Sequence, residues 1–378
     1  MFCNYIILFL HTFERSLKIM EKQSDLIKNS SANQLTDLFG MNHEKVLICQ
    51  DKDSGLKAII AIHSTTCGPA LGGTRMWKYA SDMDALKDVL RLSRGMSYKN
   101  AISGLNLGGG KAVIIGDSKT QKSANLFRAF GDFIESLNGD YITSEDVGIS
   151  PDDMIHVAKQ TKHVTGLPGK KGDPSPITAF GVYMGMKAAA KSQFGNDSLH
   201  GKKIAVQGVG HVGEYLVEYL HKEGAKITLT DINDSLLSKV SKRFNCNIVN
   251  PDEIYDVDMD IYAPCALGAT VNDSTIPRMN CSIIAGAANN QLENENIHGS
   301  VLMNKGVLYA PDYLINAGGV MNCYAELHDF SNEKVMQMAE NIYQTTADII
   351  NHSKNNNIPT FLAANQKAEE RLKMESSK

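Results

Sequence analysis

The chain has 378 residues, of which 43% are hydrophobic, and its 38 Lys and Arg against 42 Asp and Glu leave a formal net charge of -4. This length is sufficient for two ordinary domains. The near balance of charge, without a large basic block, argues against nucleic acid or an anionic membrane as a partner. The seven cysteines are scattered singly and odd in number, which indicates reduced thiols and a cytoplasmic location.

The N-terminal segment carries an apolar run at 5–10 that is too short to span a bilayer. It lacks the preceding positive charge and the following small-residue site of a signal peptide. The polar residues 21–33 then predict a disordered tail. Met20 and Met41 are alternative start residues.

Regular patterns begin with two apolar runs, 46–50 and 56–64, which flank a turn-rich tetrapeptide and predict a β-hairpin. The stretch 81–96 spaces its apolar residues along one helical face, and Ser81 and Asp84 have the separation of a capping box. These elements predict an N-terminal α/β domain.

After a segment rich in Gly, Pro and Lys, short apolar runs alternate with helical stretches, which predicts a parallel, doubly wound sheet. A helical stretch from Asn332 to about Asn356 follows, and Pro359 separates it from a last helix. The six apolar runs are 203–207, 226–230, 247–249, 259–263, 282–286 and 307–310. The predicted fold is therefore α/β with two domains and a cleft between them, divided as an extension (1–33), a first domain (34–172), a Rossmann-type domain (173–355) and a C-terminal helix that packs back on the first domain (356–378).

A GxGxxG motif lies between the first strand and first helix of this alternating pattern. Its first glycine permits a tight turn, its second lets a pyrophosphate approach the backbone, and its third allows close packing of helix on strand. Asp231 ends the next predicted strand, where it can accept hydrogen bonds from ribose hydroxyls and would repel the extra phosphate of NADP. NAD is the predicted cofactor, bound by Gly208, Val209, Gly210, His211, Val212, Gly213 and Asp231. The alternative is a glycine-rich turn that only packs a helix on a sheet.

Small and amide-rich segments follow the later strands of the same domain. The carboxyl ends of parallel strands share one edge of the sheet, so these segments are expected beside a bound nicotinamide. The residues predicted there are Cys265, Ala266, Ala287, Asn289, Asn290 and Asn316.

Two lysines of the first domain, Lys99 and Lys111, have settings unlike an ordinary solvated surface. Three glycines precede Lys111, but Leu105 and Ala112 occupy positions where a P-loop requires glycine and a hydroxyl residue, which excludes a kinase-type site. We interpret the glycines as allowing a substrate to approach the backbone. If both lysines share a pocket, repulsion and desolvation favour a neutral amine on one of them.

Asp146 follows a short apolar run and is positioned to exchange protons with an amine in the same cleft. Alternatives remain for each of these residues taken alone. Lys99 could be an exposed lysine at a helix end, and Asp146 could cap a turn or helix.

Long motifs at 68–77, 104–117, 205–210, 261–270 and 285–292 resemble the leucine/phenylalanine/valine branch of the amino-acid dehydrogenase family, continuously from about Val46 to Arg371. Leucine-type members look most similar. The resemblance implies that the first domain binds substrate and mediates oligomerisation, commonly as an octamer. It further implies that Lys99 binds the substrate carboxylate, Lys111 is the base that activates water, and Asp146 exchanges protons with the amino group.

The implied reaction is the NAD-dependent oxidative deamination of a branched-chain L-amino acid to its 2-oxo acid and ammonium, through an imine and a carbinolamine. The resemblance places the substrate side chain among Leu71, Gly72, Ser144, Thr165, Val320 and Cys323. Leu71 stands where glutamate-specific relatives have lysine, which favours an apolar substrate, although Leu71 could simply be core. Ser144 and Cys323 depart from the usual alanine and valine, and the loop 166–176 looks shorter than is typical.

Three other functions remain open at this stage. One is a phenylalanine-specific relative, since hydrophobic pockets discriminate by modest free energies. The second is a relative acting on an unusual 2-oxo acid, and the third is a non-catalytic NAD-binding homologue. No metal is predicted, because the eleven histidines show no ligand-like clustering.

Overall fold

The computed structural model describes residues 40–170, 172–266 and 268–376. The predicted N-terminal extension, residues 1–33, lies outside them. Among the described residues, no helix has the length and apolar character needed to cross a bilayer.

The N-terminal part is built on a five-stranded mixed sheet with the strand order β1-β2-β4-β3-β5. β1 and β2 form the predicted antiparallel hairpin, with Lys45 opposite Ile62 and Asp51 opposite Leu56. β3 runs parallel to both β4 and β5. The strands are β1 (Lys45–Asp51), β2 (Leu56–Ser64), β3 (Ala70–Trp77), β4 (Gly108–Ile115) and β5 (Tyr141–Glu145).

Both faces of this sheet are covered, because alternate residues of its strands are apolar on each side. Ile60 and Ile62 of β2 pack with the helix that contains Phe127, whereas Ile59 packs with the helix that contains Val89. The latter helix begins as predicted, with the Ser81 side chain accepting the Asp84 N–H. The helices are α1 (Asp82–Ile102), α2 (Ala124–Glu135) and α3 (Pro151–Val157).

The C-terminal part contains the predicted parallel sheet, with six strands in the order β11-β10-β9-β6-β7-β8. The order runs outward from β6 in both directions, so a crevice opens at the carboxyl ends of β6 and β9, where ligands bind in such sheets. The strands are β6 (Lys203–Gln207), β7 (Lys226–Thr230), β8 (Asn247–Ile248), β9 (Ile261–Pro264), β10 (Ile283–Ile284) and β11 (Leu308–Tyr309).

Nine α-helices are assigned among the described residues of this part. The predicted helical stretch 332–356 is two consecutive helices, and Asn341 between them keeps helical backbone angles. A short 3-10 helix spans Glu253–Asp256. The α-helices are α4 (Ser175–Phe194), α5 (His211–Lys222), α6 (Asp234–Phe244), α7 (Glu295–Asn304), α8 (Asp312–Ile315), α9 (Gly318–Leu327), α10 (Asn332–Glu340), α11 (Ile342–Asn356) and α12 (Thr360–Ser376).

The C-terminal helix α12 reaches back to α1. The Tyr98 hydroxyl donates to Glu369 Oε1 at 2.6 Å, and the Arg371 guanidinium donates to the Ala101 carbonyl at 2.8 Å. Arg371 therefore adds a side-chain donor at the end of α1, where the Ala101 carbonyl also accepts the Gly104 N–H at 3.2 Å. These contacts agree with the expected packing, while the domain boundaries at 172 and 355 stay predictions.

Candidate active site

The two lysines and the aspartate singled out in the sequence line one cleft of about 670 Å³ between the N-terminal and C-terminal parts. Lys111 projects from β4 and is only 7% exposed. Asp146 directly follows β5, and Lys99 lies in the last turn of α1. The shared pocket that the sequence could only assume is therefore present.

Lys111 and Asp146 form a direct ion pair, with 2.6 Å between Lys111 Nζ and Asp146 Oδ2. Arg75 approaches the same carboxylate oxygen, with Nε at 3.5 Å. The sheet register explains why Arg75 lies next to Asp146. Thr74 of β3 is opposite Glu145 of β5, which places the residues that follow them side by side.

Burial and charge shift the ionisation of these groups. Burial lowers the pKa of Lys99 to about 8, with the charge of Lys111 adding to the effect and that of Asp312 opposing it. Burial alone would raise the pKa of Asp146, but Lys111 and Arg75 outweigh it and hold that pKa below its usual value. Lys99 therefore loses its proton more readily than an ordinary lysine. The resemblance assigns the role of base to Lys111.

The opposite wall of the cleft is built from segments that follow β10 and β11. Lys99 Nζ donates to Asn289 Oδ1 across the cleft at 3.5 Å, and Asn316 Nδ2 donates to the same oxygen at 2.8 Å. Asp312 is buried nearby, and its carboxylate accepts the Gln291 N–H at 3.0 Å. Burial raises the pKa of Asp312.

The three glycines before Lys111 have a different role from the one predicted. A Cβ at Gly108 would lie 2.0 Å from the Ser64 carbonyl oxygen, at Gly109 2.0 Å from the Ser97 backbone nitrogen, and at Gly110 2.6 Å from the Tyr141 ring. Protein atoms occupy all three positions. The interpretation that these glycines admit the substrate is wrong; they allow β4 to pack closely on its neighbours.

Two of the residues predicted for the substrate side chain lie in β3. Leu71 is buried in the main apolar core together with Val320 of α9. A Cβ at Gly72 would lie 1.8 Å from the Gly110 carbonyl oxygen, so sheet packing by itself requires glycine there. Neither residue lines the 670 Å³ cleft.

The remaining members of this predicted pocket meet where β5 approaches α9. Thr165 is fully buried and its side chain contacts Cys323. Burial raises the pKa of Cys323 to about 12, so its thiol is uncharged at neutral pH. Ser144 is half-buried on β5, and a Cβ added at Gly166 would lie 3.9 Å from the Ser144 Cβ. The structure thus places Leu71 and Val320 in one apolar core and brings Thr165 into contact with Cys323, and a substrate pocket formed by all six residues stays a prediction.

The GxGxxG segment lies at the crevice beside β6, with α5 beginning at His211. Gly208 has a left-handed backbone (φ +100°) and faces Ala266, and a Cβ at Gly213 would lie 2.1 Å from the Gly208 carbonyl oxygen. Around Gly210 no atom comes within 4 Å of an added Cβ. One glycine is therefore needed for the turn, one for packing, and the open one leaves room for a ligand, which fits a dinucleotide.

Asp231 follows β7 as predicted and is half-buried. Its Oδ2 accepts the Val209 N–H at 2.7 Å and its Oδ1 accepts the Asn233 N–H at 2.8 Å. Val209 is buried, whereas His211 is exposed and Val212 partly buried. The carboxylate is therefore fixed at the strand end where an adenosine ribose would lie.

The other predicted cofactor residues follow β9, β10 and β11 at the carboxyl edge of the same sheet. Ala287 is partly buried, and its carbonyl accepts Asn316 Nδ2 at 3.1 Å. Asn289 and Asn290 are exposed in the cleft. Cys265 and Ala266 directly follow β9, and burial raises the pKa of the Cys265 thiol to about 12.

Comparison with known proteins agrees with this geometry. Residues 43–163 match the family model described as Glu/Leu/Phe/Val dehydrogenase, dimerisation domain, and residues 169–239 and 228–378 match Glutamate/Leucine/Phenylalanine/Valine dehydrogenase. The chain belongs to the Glu/Leu/Phe/Val dehydrogenase family. The predicted family, two-domain fold and amino-acid dehydrogenase class are confirmed, and the family implies a nicotinamide cofactor.

Relatives of the family differ in their named substrates. A leucine dehydrogenase of Thermoactinomyces intermedius is 55% identical over 336 residues, covering 88% of this chain and 92% of that protein. An L-tryptophan dehydrogenase of Nostoc punctiforme is 48% identical over 332 residues, covering 88% of this chain and 94% of that protein. A crystal structure of L-tryptophan dehydrogenase from Nostoc punctiforme superposes with a TM-score of 0.82 at 45% identity, over 90% of this chain and 99% of that one.

Among the charged residues of the cleft that sequence reasoning missed, Arg75 and Asp312 act directly on the predicted lysines and aspartate. Arg75 is a charged residue inside the otherwise apolar, glycine-containing strand β3, and that departure from strand patterning was an available signal. Asp312 had no such signal, because an aspartate after a proline at a helix start is ordinarily a capping residue. Its burial against the opposite wall emerges only from the tertiary fold.

Proposed function

We propose that this protein catalyses the NAD-dependent, reversible oxidative deamination of branched-chain L-amino acids, leucine with valine and isoleucine, to their 2-oxo acids and ammonium. The observation that carries the proposal is the convergence of Lys99, Lys111 and Asp146 on one cleft, which Asn289 and Asn290 of the second domain also line. The similarity to leucine dehydrogenases at 54–56% identity supports the aliphatic substrate class.

Each of the three polar residues has a distinct task in this reaction. The Lys99 ammonium binds the substrate carboxylate and fixes the orientation of Cα. Asp146 accepts a proton from the substrate ammonium and returns one when ammonia leaves. Lys111 acts as the base once its own proton has passed to Asp146 through their direct contact, and it then takes a proton from the water that attacks the imine carbon.

The cofactor is proposed to be NAD rather than NADP. Gly208, Gly210 and Gly213 would hold the pyrophosphate at the start of α5, and Asp231 would accept hydrogen bonds from the ribose while repelling an added phosphate. When bound, the nicotinamide ring supplies the hydride acceptor. The chain's own contribution is to aim the substrate Cα at the crevice and to exclude water from the cleft.

The residues predicted to surround the substrate side chain suit an aliphatic group. Leu71 and Val320 are apolar, and the neutral thiol of Cys323 behaves as a small apolar group. Ser144 and Thr165 add hydroxyl groups at the edge. The aromatic-specific relatives, L-tryptophan and phenylalanine dehydrogenases at 48% and 46% identity, define the competing substrates to test.

We further propose a homo-octameric assembly in the cytoplasm. The match of residues 43–163 to a dimerisation domain supports self-association through the N-terminal part. The scattered cysteines support a reducing compartment.

The decisive experiment follows NADH absorbance with leucine, valine, isoleucine, phenylalanine, tryptophan and glutamate in parallel, using NAD and NADP. We expect turnover of the aliphatic substrates with NAD, and a loss of about 10²–10⁴-fold in kcat for Lys111→Ala, the range for removal of a general base. Lys122→Ala is the matched control, because Lys122 pairs with Asp153 at 2.5 Å in the same domain. Preferred turnover of an aromatic substrate, or no turnover despite NAD binding, would overturn the proposal.

A further inference from the structure

A line of alternating charges leads from the cleft into α1, and only its first two members belong to the proposed mechanism. Asp146 Oδ2 contacts Lys111 at 2.6 Å and Arg75 at 3.5 Å. Arg75 NH1 in turn contacts Asp88 Oδ2 at 2.9 Å. The order of charges is therefore plus, minus, plus, minus, from β4 to α1.

The outer end of this line is itself fixed. The Tyr79 hydroxyl donates to Asp88 Oδ2 at 2.7 Å, and the Asp88 side chain is only 15% exposed. The Arg75 side chain is 23% exposed. The hydrogen bond from Arg75 NH1 to Asp88 orients the planar, always charged guanidinium, and its Nε then faces the Asp146 carboxylate at 3.5 Å.

We propose that Arg75 is a positioning residue for the reaction, holding the Asp146 carboxylate in place against Lys111 while Asp88 holds Arg75. The inference rests on the proposed function, since it assigns Asp146 the proton exchange with the substrate amine. Arg75 itself acts through Asp146 and needs no contact with the substrate.

The alternative is a purely structural role, in which Arg75 connects β3 to α1 through its ion pair with Asp88. That structural role requires only the contact between Arg75 and Asp88. The second contact is different, because it ends on the carboxylate oxygen that also touches Lys111. Arg75 is thus placed to influence the proton equilibrium of the pair as well as its geometry.

The charges around Asp146 define what removal of Arg75 should do. Asp146 faces Lys111 of β4, Arg75 of β3, Glu145 of β5 and Lys99 of α1, and it interacts electrostatically with all four. A cation lowers the pKa of a neighbouring carboxyl group and of a neighbouring ammonium group alike. Loss of Arg75 should therefore raise the pKa of Asp146.

The test is the pH dependence of kcat/KM for leucine in the wild type, Arg75→Gln and Arg75→Lys. For Arg75→Gln we expect kcat/KM to fall on the order of 10²-fold, the cost of a misplaced catalytic group, and the acidic limb of the profile to move to higher pH by about one unit, because Asp146 must be ionised to accept a proton. Arg75→Lys restores the positive charge, so the pH dependence of its kcat/KM should return towards that of the wild type. Its kcat should stay reduced, because an ammonium lacks the planar set of donors by which a guanidinium contacts two carboxylates.

The controls separate this inference from a folding defect and from a wrong function. Arg91→Gln removes another arginine that contacts Asp88, at 3.4 Å, but its side chain is 63% exposed and contacts Asp88 rather than Asp146. The pH dependence of kcat/KM in this variant should match that of the wild type. Thermal unfolding and NAD binding are measured on every variant.

Three outcomes are informative. If the wild type turns over leucine and Arg75→Gln loses activity equally at all pH values, Arg75 has only a structural role and the inference is overturned. A profile that shifts with Arg75→Gln and recovers with Arg75→Lys supports it. Absence of turnover in the wild type would instead contradict the proposed function.

Discussion

Lys99 illustrates how opposing effects on one residue set a working pH range. Burial lowers its pKa to about 8, and the neighbouring Asp312 carboxylate opposes that shift. An ammonium with this pKa is charged below pH 8 and loses its charge as the pH rises through that value. Binding of a substrate carboxylate should therefore weaken above about pH 8.

This leads to a prediction for the 2-oxo acid of leucine, whose carboxylate does not titrate in this range. Its KM should rise above about pH 8, by up to about tenfold per pH unit when only the charged lysine binds. Asp312→Asn removes an anion that raises the pKa of Lys99, so the rise should begin at lower pH. Lys99→Arg stays charged and should delay it.

The control is Asp273→Asn, which removes an exposed aspartate paired with His298 at 3.2 Å. Its KM profile should match that of the wild type. An unchanged profile in Asp312→Asn would show that Asp312 does not influence carboxylate binding.

At the scale of elements, the β6–α5 turn uses its three glycines for different purposes. Gly208 has a left-handed backbone, Gly213 packs against the Gly208 carbonyl, and Gly210 has open space around it. Gly210 also has backbone angles that alanine adopts, with φ -61° and ψ -167°. Of these three glycines, Gly210 alone can take a methyl group without a clash with other protein atoms.

The glycines therefore allow NAD binding and folding to be separated. Gly210→Ala should leave the melting temperature unchanged and weaken NAD binding by about 5–100-fold, since the methyl group meets the ligand. Gly213→Ala should destabilise the fold by about 1–3 kcal/mol, because its Cβ overlaps backbone. NAD titration by fluorescence and thermal unfolding measure the two effects, and undiminished NAD affinity in Gly210→Ala would place the pyrophosphate elsewhere.

For the whole molecule, the free edge of the first sheet is the feature most relevant to assembly. β1 is the outermost strand among the described residues, and Val46 and Ile48 on it are 43% and 78% exposed. An exposed apolar edge strand favours pairing with another chain. The same segment falls within the matched dimerisation domain.

We expect sedimentation analysis to give a mass about eight times the 41.3 kDa of the chain. Ile48→Lys should lower that mass, because it places a charge on the edge that the second copy would cover. Ile297→Lys, at a residue 52% exposed on α7, should leave it unchanged. An Ile48→Lys variant that assembles like the wild type would exclude this edge from the interface.

The sequence by itself determined features that depend on local pattern. Alternation of apolar runs and helical segments predicted the six parallel strands, and the spacing of Gly208, Gly210, Gly213 and Asp231 predicted the dinucleotide crevice. The prediction of the strands is confirmed, and that of dinucleotide binding stays a prediction. Both are accessible to sequence reasoning because a strand, a turn and a helix N-terminus each constrain residues that are close in the chain.

Only the tertiary structure decided how distant segments meet. It assigned the glycines before Lys111 to packing, because their Cβ positions are filled by Ser64, Ser97 and Tyr141. It paired Arg75 with Asp146 through the β3–β5 register and placed Asp312 near Lys99 across the cleft. Burial and long-range charge depend on which residues the fold brings together, and no local pattern specifies them.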